Sequence, residues 1–396
     1  MALKRTLSRT LVAFYGLGTI LGAGIYALIG EVAKEAEKAT PWAFLIASIL
    51  ALFTAASYAE LCARFPYSAG SALYVRRAFN IKWIAGVVGW LVVCTGIVSS
   101  AAIAHGFAKY IALFSTFSPY FVITLLVIFL GGLAIWGIKE SATLIFIMTL
   151  IEVGGLILII FYGHKAFFHV NELELNTGFS FNGILIGAFI AFYAYIGFED
   201  MVNIAEETIN PGRALPAAIF FAVTVATVLY ILVAWVVVDT LSVSILAGSD
   251  VPLVQIIKSQ GQNPVAFIFI ALVAISNGIL AQIIMASRMI YGMAKQENAP
   301  LFFSQVNSKT QTPLWATLFV IGVILLFAYT LPIATLAKIT SSVMFLIFLL
   351  IHAALIRVKI IHKGEKPAFS VPLFIPILSM LVTVLFIGAQ IFVALN

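Results

Sequence analysis

Apolar residues run along the chain almost without interruption. Charges, or clusters of proline and glycine, divide them into stretches near 10–33, 41–63, 80–107, 120–137, 141–163, 180–206, 213–238, 263–290, 313–331, 333–356 and 371–395. Each is close to the roughly 20 residues a helix needs to cross a bilayer. The pattern therefore predicts about eleven transmembrane helices, the ninth and tenth joined by little more than Leu331-Pro332. Barrel strands are disfavoured, because those are segments of about ten residues with alternating hydrophobicity, whereas these runs are long and continuous.

Composition agrees with a chain that is membrane throughout. Of its 396 residues, 63% are hydrophobic and 10% charged, with a mean hydropathy of +1.12, against about 25% charged residues in soluble domains. A water-soluble enzyme is excluded, and no stretch is left over for a soluble domain. The net charge of +6 comes from basic residues scattered singly in short loops, which argues for topology and against nucleic acid. With the N-terminus inside, 16 of the 22 basic residues, Arg288 among them, face the cytoplasm. Lys34, Lys38, Lys109, Lys165, Lys258 and Lys338 fall at outer ends. An odd number of spans then puts the C-terminus outside, and the basic start from Met1 to Arg9 leads into a first span that is not a cleaved signal.

Side chains that could do chemistry are few. Cys62 and Cys94 lie in or beside apolar runs and read as small core residues. His105, His164, His169 and His362 fall at helix ends or in loops, and His352 stands alone in the tenth span. No cluster suits an intramembrane enzyme, and no cofactor or metal site is expected.

Two spans break the helical pattern. In the first, Gly16-Leu17-Gly18-Thr19-Ile20-Leu21-Gly22-Ala23-Gly24 packs four glycines into nine residues, each costing about 1 kcal/mol of helix propensity relative to alanine. In the sixth, Tyr195-Ile196-Gly197-Phe198-Glu199-Asp200 places a glycine and two carboxylates inside an apolar stretch. Gly18 and Gly22 also fit a small-residue face between packed helices. That reading leaves Glu199 and Asp200 unexplained, since buried charge at membrane depth costs several kcal/mol. Breaks in the first and sixth elements point to a five-plus-five repeat with a binding site at its centre. The halves would be residues 1–163 and 164–356, with 357–396 an additional span.

The residues at these breaks resemble a known family. Gly22-Ala23-Gly24-Ile25-Tyr26 is similar to the first-span signature of the amino acid–polyamine–organocation superfamily. Ser57-Tyr58-Ala59-Glu60-Leu61, Phe65-Pro66 and Ala69-Gly70-Ser71-Ala72-Leu73-Tyr74 resemble its loop after the second span. The stretch from Tyr195 to Glu199, with Ala205-Glu206-Glu207, Asn210-Pro211 and Leu215-Pro216, is similar to the sixth span of its cationic-amino-acid-transporter-like branch. Lys139-Glu140-Ser141-Ala142 and Arg288-Met289-Ile290-Tyr291-Gly292-Met293 are further family-like blocks. Two features depart from the family: Ala23 stands where a hydroxyl residue is usual, and the pattern holds no twelfth span.

The resemblance implies an all-α membrane protein with the inverted-repeat fold of the leucine-transporter type, alternating access, and an amino acid substrate in the cell membrane. It carries the substrate contacts to Ile20, Gly22, Ala23 and Gly24 and to Tyr193 and Ile196. Gly197 belongs to the same break, and the aromatic residues beside it, Tyr193 and Phe198 foremost, would cap the pocket. Tyr195, Glu199 and Glu60 are candidate gating residues, Glu60 through an ion pair with Arg64. Glu152, alone in the fifth span, occupies the position where many proton-coupled relatives carry a lysine. It is either a proton carrier or a structural acid bonded to a neighbouring helix. Ser276 and Asn277 are its expected partners, with H+ or Na+ as the coupling ion. A coupling-free exchanger and a receptor that does not transport are the alternatives.

Overall fold

A computed structural model of the chain describes residues 3–112, 114–164, 180–249, 251–330, 333–365 and 367–395. Lys165, His169, Lys366 and the Leu331-Pro332 connector lie outside the described residues, as do the side chains of Ala23 and Lys338. The helices are α1 (Arg9–Ala36), α2 (Thr40–Arg64), α3 (Gly70–Phe79), α4 (Lys82–Ile111), α5 (Pro119–Trp136), α6 (Ile138–Tyr162), α7 (Phe181–Tyr193), α8 (Pro211–Thr240), α9 (Val243–Ala247), α10 (Pro252–Ser259), α11 (Val265–Lys295), α12 (Leu314–Thr330), α13 (Ile333–Ile361) and α14 (Phe374–Leu395). A 3₁₀ helix spans Phe198–Glu207. Every apolar run of the sequence falls on a helix. Among the described residues, eight stretches are long and apolar enough to cross a membrane, and Leu314–Thr330 and Phe374–Gly388 are shorter apolar helices. This is an all-α membrane protein.

Local chemistry sets the helix ends. Ser8 Oγ accepts from Leu11 N at 3.3 Å to cap α1, and Ser180 Oγ accepts from Gly183 N at 3.2 Å to cap α7. Proline occupies the first turn of α2, α5 and α8, where its missing N–H is not needed.

Helix α1 lies at the centre, packed against α6, α7, α8 and α11, while α2 packs on α7 and α8. Between membrane helices such contact comes from close packing and not from expulsion of water. Gly22 accordingly sits against Gly278 of α11, where an added Cβ would lie 3.4 Å from the Gly278 Cα. The packing and ligand-facing readings of Gly22 are therefore compatible. The outer faces are apolar: Phe121, Leu125, Ile128 and Phe129 on α5, and Phe374, Ile377, Leu381 and Leu385 on α14, are all exposed. Stripes of this size suit hydrocarbon and not water.

Two expectations need correction. Cys94 is exposed on α4 and is not a core residue, whereas Cys62 is buried. Arg288 is not in a loop; it is fully buried within α11. His352 is buried, its Nδ1 3.0 Å from Ser57 Oγ and its Nε2 3.5 Å from Thr54 Oγ1, both on α2.

Candidate functional site

The two breaks lie against each other. Helix α1 departs from helical geometry at Gly22 alone (φ −20°, ψ −132°), so its interruption is a one-residue kink. The glycines around it stay helical because a propensity cost weakens a helix without opening it. Helix α7 stops at Tyr193, turns through 194–197 and restarts as the 3₁₀ helix, with Gly197 at φ +131°, a region that side chains with a Cβ rarely enter. A Cβ on Gly197 would approach Thr19 O to 2.6 Å, and one on Gly24 would approach Ala194 Cα to 2.8 Å. The absence of both side chains lets the backbones touch.

Hydroxyl groups join the two breaks. Thr19 Oγ1 lies 2.7 Å from Gly16 O and 3.1 Å from Gly197 O. Tyr230 Oη, on α8, lies 2.7 Å from Ile20 O and 3.0 Å from Ala194 O. It has one proton to donate and faces two carbonyl acceptors. Ile20 is buried and Ile196 half-buried beside this point. Tyr193 Oη is 3.4 Å from Ser99 Oγ on α4, and Tyr195 Oη donates to Phe44 O at 3.3 Å. Phe198 stacks on Phe348, with ring centroids 5.9 Å apart, and meets Tyr58 edge-on. Glu199 Oε2 turns back to accept from Gly197 N at 2.8 Å, a cap on the restarting helix. Asp200 Oδ2 accepts from Gln282 Nε2 at 2.7 Å.

Glu152 lies beside the kink. It is fully buried, and Asn277 Nδ2 donates to its Oε1 at 2.9 Å. Among the described residues its Oε2 has no partner, and neither has Asn277 Oδ1. Asn277 Nδ2 also reaches Thr149 Oγ1 at 3.2 Å, and Thr149 Oγ1 lies 3.2 Å from Phe14 O of α1. Tyr26 Oη, on the far side of the kink, donates to the Glu152 carbonyl at 3.3 Å. Thr149 Oγ1 lies nearer to Ile145 O of its own helix, at 2.7 Å, so the bond from α1 to this turn of α6 is the one from Tyr26. Ser276 is not part of this group; its hydroxyl donates to Leu272 O on its own helix at 2.8 Å.

At the end of α2, Glu60 Oε1 accepts from Arg64 Nη2 at 2.8 Å, and Glu60 Oε2 accepts from Lys359 Nζ at 2.7 Å and Val371 N at 2.8 Å. The expected pair with Arg64 is present, joined by a link to α13 and to the segment before α14. Sequence reasoning did not single out Thr19, Thr149, Tyr230 or the pairing of Arg288 with Glu207. A tyrosine or threonine in an apolar run carries no signal of its own. Glu207 was visible only as part of a family-like block.

A family model described as amino acid permease matches residues 7–396. The chain is 30% identical to the "Cationic amino acid transporter 4, vacuolar" of Arabidopsis thaliana over 93% of its own length and 65% of that protein's. It is 28% identical to the "Branched-chain amino acid permease BcaP" of Bacillus subtilis, covering 94% of this chain and 84% of the relative. Similarity to the "Methylthioribose transporter" of the same bacterium is 26%, over 96% and 87%. The chain spans about two thirds of the length of the plant relative.

Proposed function

The chain belongs to the amino acid permease family, and on that premise we propose that it carries an amino acid across the cell membrane by alternating access, with the substrate held where the two breaks meet. The observation that carries this reading is Tyr230 Oη between Ile20 O and Ala194 O. The first half of α1 and the end of α7 both direct carbonyl oxygens, the negative ends of their dipoles, at one point. An ammonium has three donors to offer there, where the tyrosine has one. The half of α1 that restarts after Gly22 offers backbone N–H groups and a positive dipole end to the carboxylate. Glycine at the breaks lets the ligand reach the backbone. Tyr193 and Phe198 close the pocket, and Tyr195, Glu199 and Glu60 belong to the gates on either side.

Two inverted halves, 1–163 and 164–356, with the N-terminus cytoplasmic and the C-terminus outside, complete this reading. Proton coupling is assigned to Glu152. An ionised carboxylate at membrane depth is costly unless paired, and Oε2 has no donor among the described residues. A proton there makes Oε2 a donor and removes the charge. Tyr26, just past the kink, donates to the Glu152 backbone carbonyl, which ties this turn of α6 to α1.

Proteoliposome uptake screened across the amino acids, with Tyr230→Phe alongside wild type, tests the proposal. The variant removes the hydroxyl that spans the two carbonyls, so substrate affinity should change at least about tenfold, equivalent to about 1.4 kcal/mol, while the protein still folds. Unchanged affinity would remove this junction as the substrate site. Uptake of no amino acid by the wild type would overturn the function itself.

A further inference from the structure

We propose that a cavity beneath the N-terminal arm binds a phosphate-bearing anion. The arm, residues 3–8, runs along the end of the 3₁₀ helix. Thr6 N and Leu7 N donate to Glu207 O at 2.9 and 3.0 Å, and Ile209 N donates to Leu7 O at 3.0 Å. Between the arm and the ends of α3 and α11 lies a cavity of about 420 Å³, whose charged lining is Arg5, Arg77, Lys295 and Glu206. An adjoining cavity of about 610 Å³ shares Arg77 and Lys295 and adds Arg76 and Glu297.

The carboxylates in this region are already occupied. Glu206 accepts from Ser68 N and from Lys295 Nζ, both at 3.2 Å. Glu297 accepts from Lys82 Nζ at 2.8 Å, and that ammonium holds its carboxyl below the usual carboxylate range. Arg76 donates to Gln296 O at 2.7 Å. Arg77 lies over the Phe65 ring, 5.7 Å from its centroid. Among the described residues, neither Arg77 nor Arg5 has an ion-pair partner.

Two exposed guanidinium groups from separate elements therefore line one cavity without an ion-pair partner among the described residues. Their planar donor forks suit phosphate oxygens, while Lys295 stays with Glu206. The phosphate could belong to an anionic lipid headgroup, since the inner leaflet is negatively charged, or to a soluble phosphate. A bound anion ties the arm, through Arg5, to α3. If α1 swings during transport, which rests on the function proposed above, the anion holds this side closed.

The experiment measures the melting temperature of the purified full chain in two settings. In neutral detergent, inorganic phosphate is compared with chloride at equal ionic strength. In nanodiscs, phosphatidylcholine alone is compared with phosphatidylcholine containing phosphatidylglycerol. Arg5→Gln with Arg77→Gln is the test variant, and Lys139→Gln with Lys309→Gln, both exposed and outside the cavity lining, is its charge-matched control. The wild type and the control should be stabilised by the anion, and the test variant should lose that shift. A shift with phosphate identifies a soluble ligand; a shift with phosphatidylglycerol alone identifies a headgroup. No shift in either setting, or equal loss in the control, overturns the site. Stabilisation by amino acids, measured on the same samples, reports separately on the transport reading.

Discussion

Glu207 and Glu152 are both fully buried, and their surroundings are opposite. Glu207 has both oxygens engaged by Arg288, whose Nε lies 3.3 Å from Oε2 and whose Nη2 lies 3.3 Å from Oε1, with Ser287 Oγ taking Nη1 at 3.0 Å. Its backbone carbonyl receives the N-terminal arm. Among the described residues the Glu152 carboxylate has one bond, from a neutral amide, and an oxygen with no donor. A satisfied ion pair has one stable arrangement and fixes the elements it joins, here the end of the 3₁₀ helix, α11 and the arm. A half-satisfied acid has a second arrangement within reach of one proton. Native structures leave few buried polar groups unpaired, and those few ask for a reason. The first centre reads as a fastening and the second as a moving part.

Removing one partner of the fastening should have the largest effect. Arg288→Met leaves Glu207 buried without its cation, a change that costs about 3–5 kcal/mol. The expected result in detergent is a large fall in melting temperature or failure to extract. Adding Glu207→Leu removes the stranded charge and should recover most of the loss, since apolar replacement of a whole buried pair is often neutral. If Arg288→Met melts with the wild type, the pair is not the fastening described here and the contrast with Glu152 fails.

The sequence showed the two centres unequally. Glu152 stood out because a single charge in an apolar span is conspicuous, and the family resemblance led to Asn277. It also led to Ser276, whose hydroxyl is taken by its own helix, a local alternative open to any serine. Arg288 sits near the end of an apolar run, so it resembled a boundary marker. Only tertiary structure shows that α11 continues to Lys295 and that Glu207 meets it inside. The breaks were legible because glycines in a membrane helix are unfavourable, and Gly197 falls where expected. Tyr230, which bridges them, is one of 13 tyrosines, and nothing in its neighbours reveals the two carbonyls it serves.

A smaller effect should come from crowding the moving part. A Cβ on Gly18 would collide with Thr149 Oγ1 and lie 2.5 Å from Asn277 Nδ2. Both are side-chain ends that can shift, so Gly18→Ala should cost about 1–3 kcal/mol, the usual range for overpacking. The methyl displaces the amide that bonds Glu152, so the pH dependence of uptake should weaken along with stability. A protein that loses stability but keeps its full pH response would show that Glu152 works without Asn277.

The smallest effect on stability, and the most telling on mechanism, belongs to Glu152→Gln. The amide keeps an oxygen for Asn277 Nδ2 and places an NH₂ group where Oε2 has no partner, so the folded state should change by less than about 1 kcal/mol. A gain within that bound is consistent, because a neutral amide is less costly to bury than an ionisable carboxylate. Transport should divide. The variant imitates the protonated acid permanently, so substrate binding and exchange persist, while accumulation and its pH dependence are lost. One charge moving across about 100 mV supplies about 2.3 kcal/mol, enough for roughly fifty-fold accumulation, and that is the quantity to measure. If Glu152→Gln still concentrates substrate with the wild-type pH response, Glu152 is a second fastening, and the coupling group must be sought at Glu60, Glu199 or Asp200.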